Sequence, residues 1–272
     1  PARFMKCITF DGLGEFAYVT ALDLSDVSLD PTEAQPSGVE FTPRPRSPLV
    51  PFGGGIDSIV TVEGVRSVAD DPSLFIVSRH GDRFDAIERP AAVSGLPIVR
   101  AERQLDPKVL RSAELGYLNG HVPVTGILSS LAVLAAVAGG HDAVVMSNER
   151  SASVGNTAKG GRSVNHQFSK SAEYEQLLAA VIDETFGGAL AYFSYLRPFS
   201  ELWVAERFAR MSNYHDAFRS CNRAFHLDPA LRLDHWCGRC DKCCFLDLVL
   251  APFLSPSDLR AVFAGNEPLE HT

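Results

Sequence analysis

The apolar positions of this chain gather in short continuous runs. Leu49-Val50-Pro51-Phe52, Leu74-Phe75-Ile76-Val77, Leu96-Pro97-Ile98-Val99, Ala143-Val144-Val145-Met146 and Tyr192-Phe193-Ser194-Tyr195-Leu196 each have the length of a strand. Strands buried on both faces read this way, because helices cover both sides of a parallel sheet. The stretches between them suit helices: from Asp57 to about Val68, residues 83 to 92, Thr125 to Ala138, and a segment running to about Glu184. A strand, a helix and a second parallel strand make a right-handed crossover. The pattern therefore predicts an α/β fold with a parallel sheet of about five strands flanked by helices. The segment Thr125–Ala138 is apolar enough to be buried, and Gly139-Gly140 stops it. Ser200 is placed to cap a helix opening at Glu201.

The N-terminal side follows another pattern. Phe4, Cys7 and Phe10, then Phe16, Tyr18 and Thr20, flank the turn-forming Asp11-Gly12-Leu13-Gly14, and a β-hairpin is expected. Residues 30 to 48 carry Pro31, Pro36, Pro43, Pro45 and Pro48 and read as an extended linker. Three units follow: 1–48, hairpin and linker; 49–215, the α/β domain; and 216–272, a cysteine-rich and helical segment. The chain opens on Pro1 without a methionine, as a processed protein or a piece of a longer one does. The hairpin then reads as the end of a larger N-terminal domain.

Phe52-Gly53-Gly54-Gly55-Ile56-Asp57-Ser58 lies where the first strand gives way to the first helix. Glycines let a backbone bend so that its N–H groups converge on an anion. A helix N-terminus behind them suits a phosphate. Ser58 supplies a hydroxyl, and Asp57 is suited to magnesium. No Gly-Lys-Ser/Thr closes the loop, so it is not a Walker A motif. It is similar to the pyrophosphate loop of the PP-loop ATP pyrophosphatases, Ser-Gly-Gly-x-Asp-Ser, with Gly53 where that family has serine. An ordinary glycine-rich turn is the plain alternative.

Polar segments follow the later strands, where α/β sheets open onto ligands. Ser78 ends the second strand. Ser147-Asn148-Glu149-Arg150-Ser151-Ala152-Ser153 follows the fourth, and Asn165-His166-Gln167-Phe168-Ser169-Lys170-Ser171 precedes a helix. Glu149, Arg150, His166 and Lys170 are expected to face the cleft of the glycine loop, with helix caps and surface ion pairs as the alternative.

Cys221 is followed, fifteen residues intervening, by Cys237-Gly238-Arg239-Cys240-Asp241-Lys242-Cys243-Cys244. Repeated Cys-x-x-Cys turns aim sulfurs at one ion, so Cys221, Cys237, Cys240 and Cys243 are expected to bind a structural zinc, with Cys244 and His235 as substitutes. A redox pair and a cluster of buried thiols are the alternatives. Six cysteines so arranged do not resemble a secreted disulfide framework, and a reducing cytoplasm is expected.

Composition narrows the partners. A formal net charge of -8 counts against nucleic acid as a partner, since phosphate backbones are gripped by clustered Lys and Arg. The longest apolar run, Ile127 to Ala138, is too short to span a bilayer, so no membrane association is expected. Nothing in the sequence fixes an oligomeric state.

Together the glycine loop and the cysteines resemble the 7-cyano-7-deazaguanine synthase branch of the PP-loop superfamily. A closer resemblance is to the UDP-N-acetylmuramoyl-L-alanyl-L-glutamate epimerases. It is carried by Val50–Ser58, Ser147–Ser153, Val164-Asn165-His166-Gln167, Ser169-Lys170-Ser171 and Ser220-Cys221-Asn222-Arg223-Ala224-Phe225, and spans roughly residues 49 to 254. That family is longer at the N-terminus. The resemblance implies an ATP- and magnesium-dependent isomerase that inverts the terminal L-glutamate of a nucleotide-linked muramoyl dipeptide for peptidoglycan synthesis. Adenylating the carboxylate removes its negative charge, so that a carbanion at Cα can delocalise. It implies Gly53, Gly54, Gly55, Asp57, Ser58, Ser78 and Arg150 around the nucleotide, Asp57 serving magnesium. Glu149 and His166 are the candidates for acid and base, and Lys170 for charge neutralisation. An amide- or nitrile-forming ligase and a non-catalytic nucleotide-binding zinc module are the competing readings.

Overall fold

A computed structural model of the chain describes residues 1–25, 27–29, 40–155, 157–159 and 162–270. Its elements are α1 (Ala2–Phe10), α2 (Gly14–Thr20), β1 (Arg44–Pro51), α3 (Ile56–Arg66), β2 (Ser73–Arg79), α4 (Asp85–Ser94), β3 (Ile98–Arg103), α5 (Pro107–Leu110), α6 (Val124–Gly139), β4 (His141–Met146), β5 (Thr157–Lys159), β6 (Arg162–Val164), α7 (Ala172–Phe186), β7 (Ala191–Ser194), α8 (Glu201–Ala209), α9 (Ser212–His215), α10 (Asp241–Leu250) and α11 (Pro256–Val262). Five strands form one sheet in the order β3-β2-β1-β4-β7, every neighbouring pair parallel. The expected α/β sheet is present, with β1 at its centre.

Because strand side chains alternate, the continuous apolar runs supply two cores, one on each face. Val50, Phe52, Leu74, Ile76 and Val145 pack with Ile59 and Val62 of α3, Val204 and Phe208 of α8, and Leu246 and Leu250 of α10. Leu49, Phe75, Val144, Met146 and Tyr192 pack on the other face with Ala132 and Ala136 of α6 and Leu178 and Ile182 of α7. Cys221, Trp236 and Cys243 belong to the first core, so the cysteine segment is seated directly on the sheet's α3 side. Edge-on ring contacts Phe208–Phe218, Phe218–Trp236 and Trp236–Phe263 carry that core to the C-terminal helices.

The expected hairpin over residues 3 to 24 is not formed: α1 and α2 take its place. Phe4, Cys7 and Ile8 are spaced three and four apart, the helical period, and pack against the α6–α7 face. Gly12 separates the two helices, since a Cβ there would lie 2.3 Å from the Ile8 carbonyl oxygen. The linker also ends earlier than expected. Residues 30–39, with Pro31 and Pro36, lie outside the described residues, but β1 already begins at Arg44 and includes Pro45 and Pro48. Prolines fit this central strand because its pairing with β4 shifts register between Arg44 and Pro48. Arg46 there has φ 53°. The backbone N–H groups of Arg46 and Ser47 donate instead to the Asp142 carboxylate, at 2.6 and 3.0 Å.

Two other expectations are revised. The third strand runs beyond its apolar residues Leu96–Val99 to Arg103, because β3 is an edge strand and its polar side chains reach water. Helix α6 is buried along only one stripe, Gly126, Ser129, Ala132 and Ala136, whose small side chains let it approach the sheet, while Leu134 is 66% exposed. The antiparallel pair β5–β6 was not foreseen. Ser200 caps α8 as expected, accepting from the Trp203 N–H. Among the described residues no helix is long and apolar enough to cross a membrane.

Asp142→Ala leaves two backbone donors of the central strand without acceptors and is expected to lower the unfolding free energy by about 2 kcal/mol. Asp142→Asn, which keeps one acceptor oxygen, should lose about half of that. Urea unfolding that is unchanged in both would show that Asp142 does not secure β1.

Candidate functional site

Strand order reverses between β1 and β4: β1 leads to β2 on one side, and β4 lies on the other. Ligands of open α/β sheets bind at such a point, beyond the C-terminal strand ends. A crevice of about 270 Å³ lies there, bounded by Gly53, Gly55, Asp57 and Ser58 on one side and Ser147 and Asn148 on the other. The loop shape depends on Gly54, at φ 75°, where a Cβ would lie 2.4 Å from the Ala86 carbonyl oxygen. At Gly53, by contrast, a Cβ meets nothing within 4 Å. Ser58 caps the turn, its hydroxyl donating to the Gly55 carbonyl at 2.9 Å. The Ser147 hydroxyl is buried with no hydrogen-bond partner among the described residues.

Asp57 is the most unusual group in the crevice. Among the described residues its carboxylate has no hydrogen bond or ion pair, and burial pushes it up to about 6 against the pull of the Lys242 and Lys170 ammonium groups. Lys170 is itself lowered by burial and partly restored by Asp57 and Glu149. Glu201, the first residue of α8, is raised by burial and by the Glu149 charge, and lowered by Lys242. Asp57, Lys170, Lys242, Glu149 and Glu201 therefore form one electrostatic group, drawn from α3, α10, α8 and the segments after β4 and before α7.

Arg197 holds two of those segments together. Its guanidinium donates to the Glu149 carbonyl at 3.0 Å and the Lys170 carbonyl at 2.8 Å, and pairs with the Glu175 carboxylate at 2.7 Å. Arg219, also buried, pairs with Asp85 at 3.5 Å beside the glycine loop's neighbour α4.

The other expected residues are placed as follows. Glu149 is buried and caps a short 3-10 turn, accepting from the Ser151 N–H and, at 2.8 Å, from its hydroxyl. Arg150 is exposed, and its backbone N–H donates to Phe199. Ser78 is buried and accepts from Arg83 at 3.0 Å, and it does not line the crevice. His166 turns toward Glu15, with which it is paired, and toward His121. Lys242, Glu201, Arg197 and Ser147 were not singled out from sequence. Lys242 had a visible signal, its place inside the second Cys-x-x-Cys; Glu201 and Arg197 follow the last strand, whose outlet was read only for its helix cap.

The four expected cysteines come together, their sulfurs within 4.8 Å of one another. Separations are 3.9 Å for Cys221–Cys240, 3.8 Å for Cys237–Cys243 and 3.4 Å for Cys240–Cys243. A tetrahedral ion with sulfur bonds of about 2.3 Å needs edges of about 3.8 Å, so the set fits such an ion. Cys244 points instead to the Pro268 carbonyl at 3.7 Å. Cys240 is the N-cap of α10, so the cluster fixes the helix turn that presents Lys242.

A family model described as the MurL N-terminal domain matches residues 1–195, and one described as the MurL C-terminal domain matches residues 217–272. The chain is 44% identical over 261 residues to the UDP-N-acetyl-alpha-D-muramoyl-L-alanyl-L-glutamate epimerase of Salinispora tropica, covering 94% of this chain and 55% of that protein. It is 39% identical over 266 residues to the epimerase of the same name from Xanthomonas oryzae pv. oryzae, covering 97% and 58%. With the one from a Micromonospora species it shares 39% over 267 residues, again covering 97% and 58%. The chain thus spans about half the length of the curated relatives it matches.

Asp57→Asn tests the crevice directly. With its folded-state pKa raised from 3.8 to about 6, native Asp57 binds its proton more tightly than the unfolded chain does. Stability is therefore lost as pH rises from about 4 through 6. The substitution should add about 2–3 kcal/mol above pH 7 and nothing near pH 3.5. A pH-independent effect would contradict the raised pKa. At the loop, Gly54→Ala should lower stability by about 2 kcal/mol or more, and Gly53→Ser should stay within about 0.5 kcal/mol of the parent protein. Equal losses at the two positions in thermal unfolding would contradict the geometry.

Proposed function

The chain belongs to the MurL family, and from that premise we propose that it carries the ATP-binding and catalytic centre of a UDP-N-acetylmuramoyl-L-alanyl-L-glutamate epimerase, a cytoplasmic enzyme of peptidoglycan synthesis. The observation that supports this most is the half-buried Asp57 carboxylate, without a hydrogen bond or ion pair among the described residues, at the strand-order reversal beside a glycine turn and two lysines. A PP-loop reading accounts for the arrangement. The N–H groups of Gly53, Gly54 and Gly55 and the α3 N-terminus receive ATP phosphates, with the buried Ser147 hydroxyl as a further donor.

Asp57 fits magnesium as an oxygen ligand lacking another partner. When bound, the ion neutralises phosphate charge. Lys170 and Lys242 add positive charge on the same side. The α-carboxylate of the terminal glutamate attacks the α-phosphorus of ATP, forming the mixed anhydride with AMP and releasing pyrophosphate. A base then takes the Cα proton from one face and an acid returns a proton to the other. Glu149 and Lys170 are the pair we assign, because Arg197 holds both of their segments at the crevice and burial depresses Lys170 toward a neutral amine. Water cleaves the anhydride, giving the inverted glutamyl residue and AMP.

Cys221, Cys237, Cys240 and Cys243 hold a structural zinc in this reading. It secures α10 and with it Lys242. Cys240→Ser should lower bound zinc by one equivalent per chain and reduce soluble yield, since the lost binding energy is also folding energy. Unchanged zinc by elemental analysis would remove the metal from the account.

The test of function is incubation with ATP, magnesium and the muramoyl dipeptide in deuterated water. Deuterium should enter at the glutamyl Cα as AMP appears. Asp57→Asn should abolish both. Glu149→Gln should retain AMP formation while slowing exchange by roughly two to four orders of magnitude. AMP formation with no exchange in the parent protein, and an amide product when ammonia is supplied, would indicate a ligase instead. Exchange at the parent rate in Glu149→Gln would overturn the assigned pair.

A further inference from the structure

Outside the crevice lining lies a second group of ligating side chains that the proposed reaction does not use. Glu15 comes from α2, His121 from the segment entering α6, and His166 from the turn after β6. One ligand atom from each lies within 4.8 Å of the others. His166 Nδ1 and Glu15 Oε2 are in direct contact, and the His121 and His166 rings stand 4.0 Å apart between centroids. His121 makes no hydrogen bond through its ring nitrogens among the described residues, although it is partly buried.

From this geometry we propose that Glu15, His121 and His166 form a second metal site, for a divalent transition ion of the zinc class. Two imidazoles and one carboxylate match the donors such ions prefer, whereas magnesium favours oxygen ligands alone. Two facing imidazoles repel when both are protonated, and a metal removes that repulsion by taking their lone pairs. A tetrahedral ion with bonds of about 2.0–2.2 Å would set the three atoms roughly 3.4 Å from one another, parting the His166–Glu15 contact, an adjustment within reach of side-chain rotation.

The site has a structural consequence and an open position. His166 is four residues before Lys170, on the segment that also carries Asn165 and Phe168. Binding would tie that segment to α2 and to the entrance of α6, adding to the hold that Arg197 has on the Lys170 carbonyl. Three protein ligands leave a fourth position for water or an anionic oxygen. A cavity of about 1110 Å³ is lined by Gly14, Val164 and Asn165, near neighbours in sequence of Glu15 and His166, and by charges of both signs, Arg3 and Lys6 with Asp11, Asp23 and Glu173.

The experiment uses the tag-free protein, freed of loosely held metal by gel filtration and then given zinc chloride. The parent protein should retain one more zinc equivalent than His121→Ala or Glu15→Gln, by elemental analysis. Added zinc should raise the melting temperature of the parent but not of these variants. Cobalt chloride in place of zinc should give weak visible absorption without sulfur charge-transfer bands, lost in His121→Ala. The Cys221 cluster contributes equally to parent and variants, so the difference isolates this site. Because His121 makes no hydrogen bond through its ring among the described residues, His121→Ala is expected to fold, and Glu15→Gln gives an independent reading. Equal zinc content and equal melting shifts in parent and both variants would overturn the proposal and leave a hydrogen-bonded Glu15–His166 pair.

Discussion

No side chain fits at Gly54. Its left-handed backbone and the Ala86 carbonyl 2.4 Å from any Cβ force the chain to turn there between β1 and α3. Everything at the site follows from that turn. It ends the central strand where the order of strands reverses, and it starts α3 so that Asp57 falls in its first turn. Asp57 is then held at the crevice with no donor of its own among the described residues, a state that is tolerated because Lys170 and Lys242 lie near enough to offset part of the desolvation. Such a carboxylate is poorly placed for stability and well placed for a cation.

The lysines reach that position by different means. Lys170 arrives on a segment whose carbonyl is gripped by Arg197, which also holds the chain at Glu149. Lys242 arrives on the first turn of α10, whose cap is Cys240. The cysteine cluster is thus connected to the crevice through two residues of sequence. Cys221 and Cys243 are wholly buried in the core that α3 shares with α8 and α10. A disturbance of the sulfur set is therefore transmitted to the charge beside Asp57.

Much of this was legible in the chain. Strands with both faces covered must be apolar throughout, so Leu49–Phe52 and Leu74–Val77 stood out without alternation. The glycine turn and the repeated Cys-x-x-Cys were visible because each has one demanding geometry. The misread parts have equally physical causes. Phe4, Cys7 and Phe10 are spaced by three, and only packing of Phe4, Cys7 and Ile8 against the α6–α7 face settles that segment as helix. Pro45 and Pro48 argue against a central strand until the Asp142 carboxylate takes the N–H groups displaced by the irregular register. His166 is a conspicuous residue in sequence, yet its neighbours Glu15 and His121 are 151 and 45 positions away, and no local pattern announces them. Lys242 lay inside a motif already read for its sulfurs.

The central claim is that Asp57 is a poorly solvated acid kept ready for a magnesium-bound nucleotide. Its titration by carbon NMR of protein labelled at the aspartate carboxyl carbons, with Asp57→Asn identifying the signal, measures this directly. The account predicts a midpoint near 6 in the free protein, falling by about two units or more on addition of ATP and magnesium, as the cation favours the ionised form. A midpoint near the ordinary 3.8, unmoved by nucleotide and metal, would contradict it.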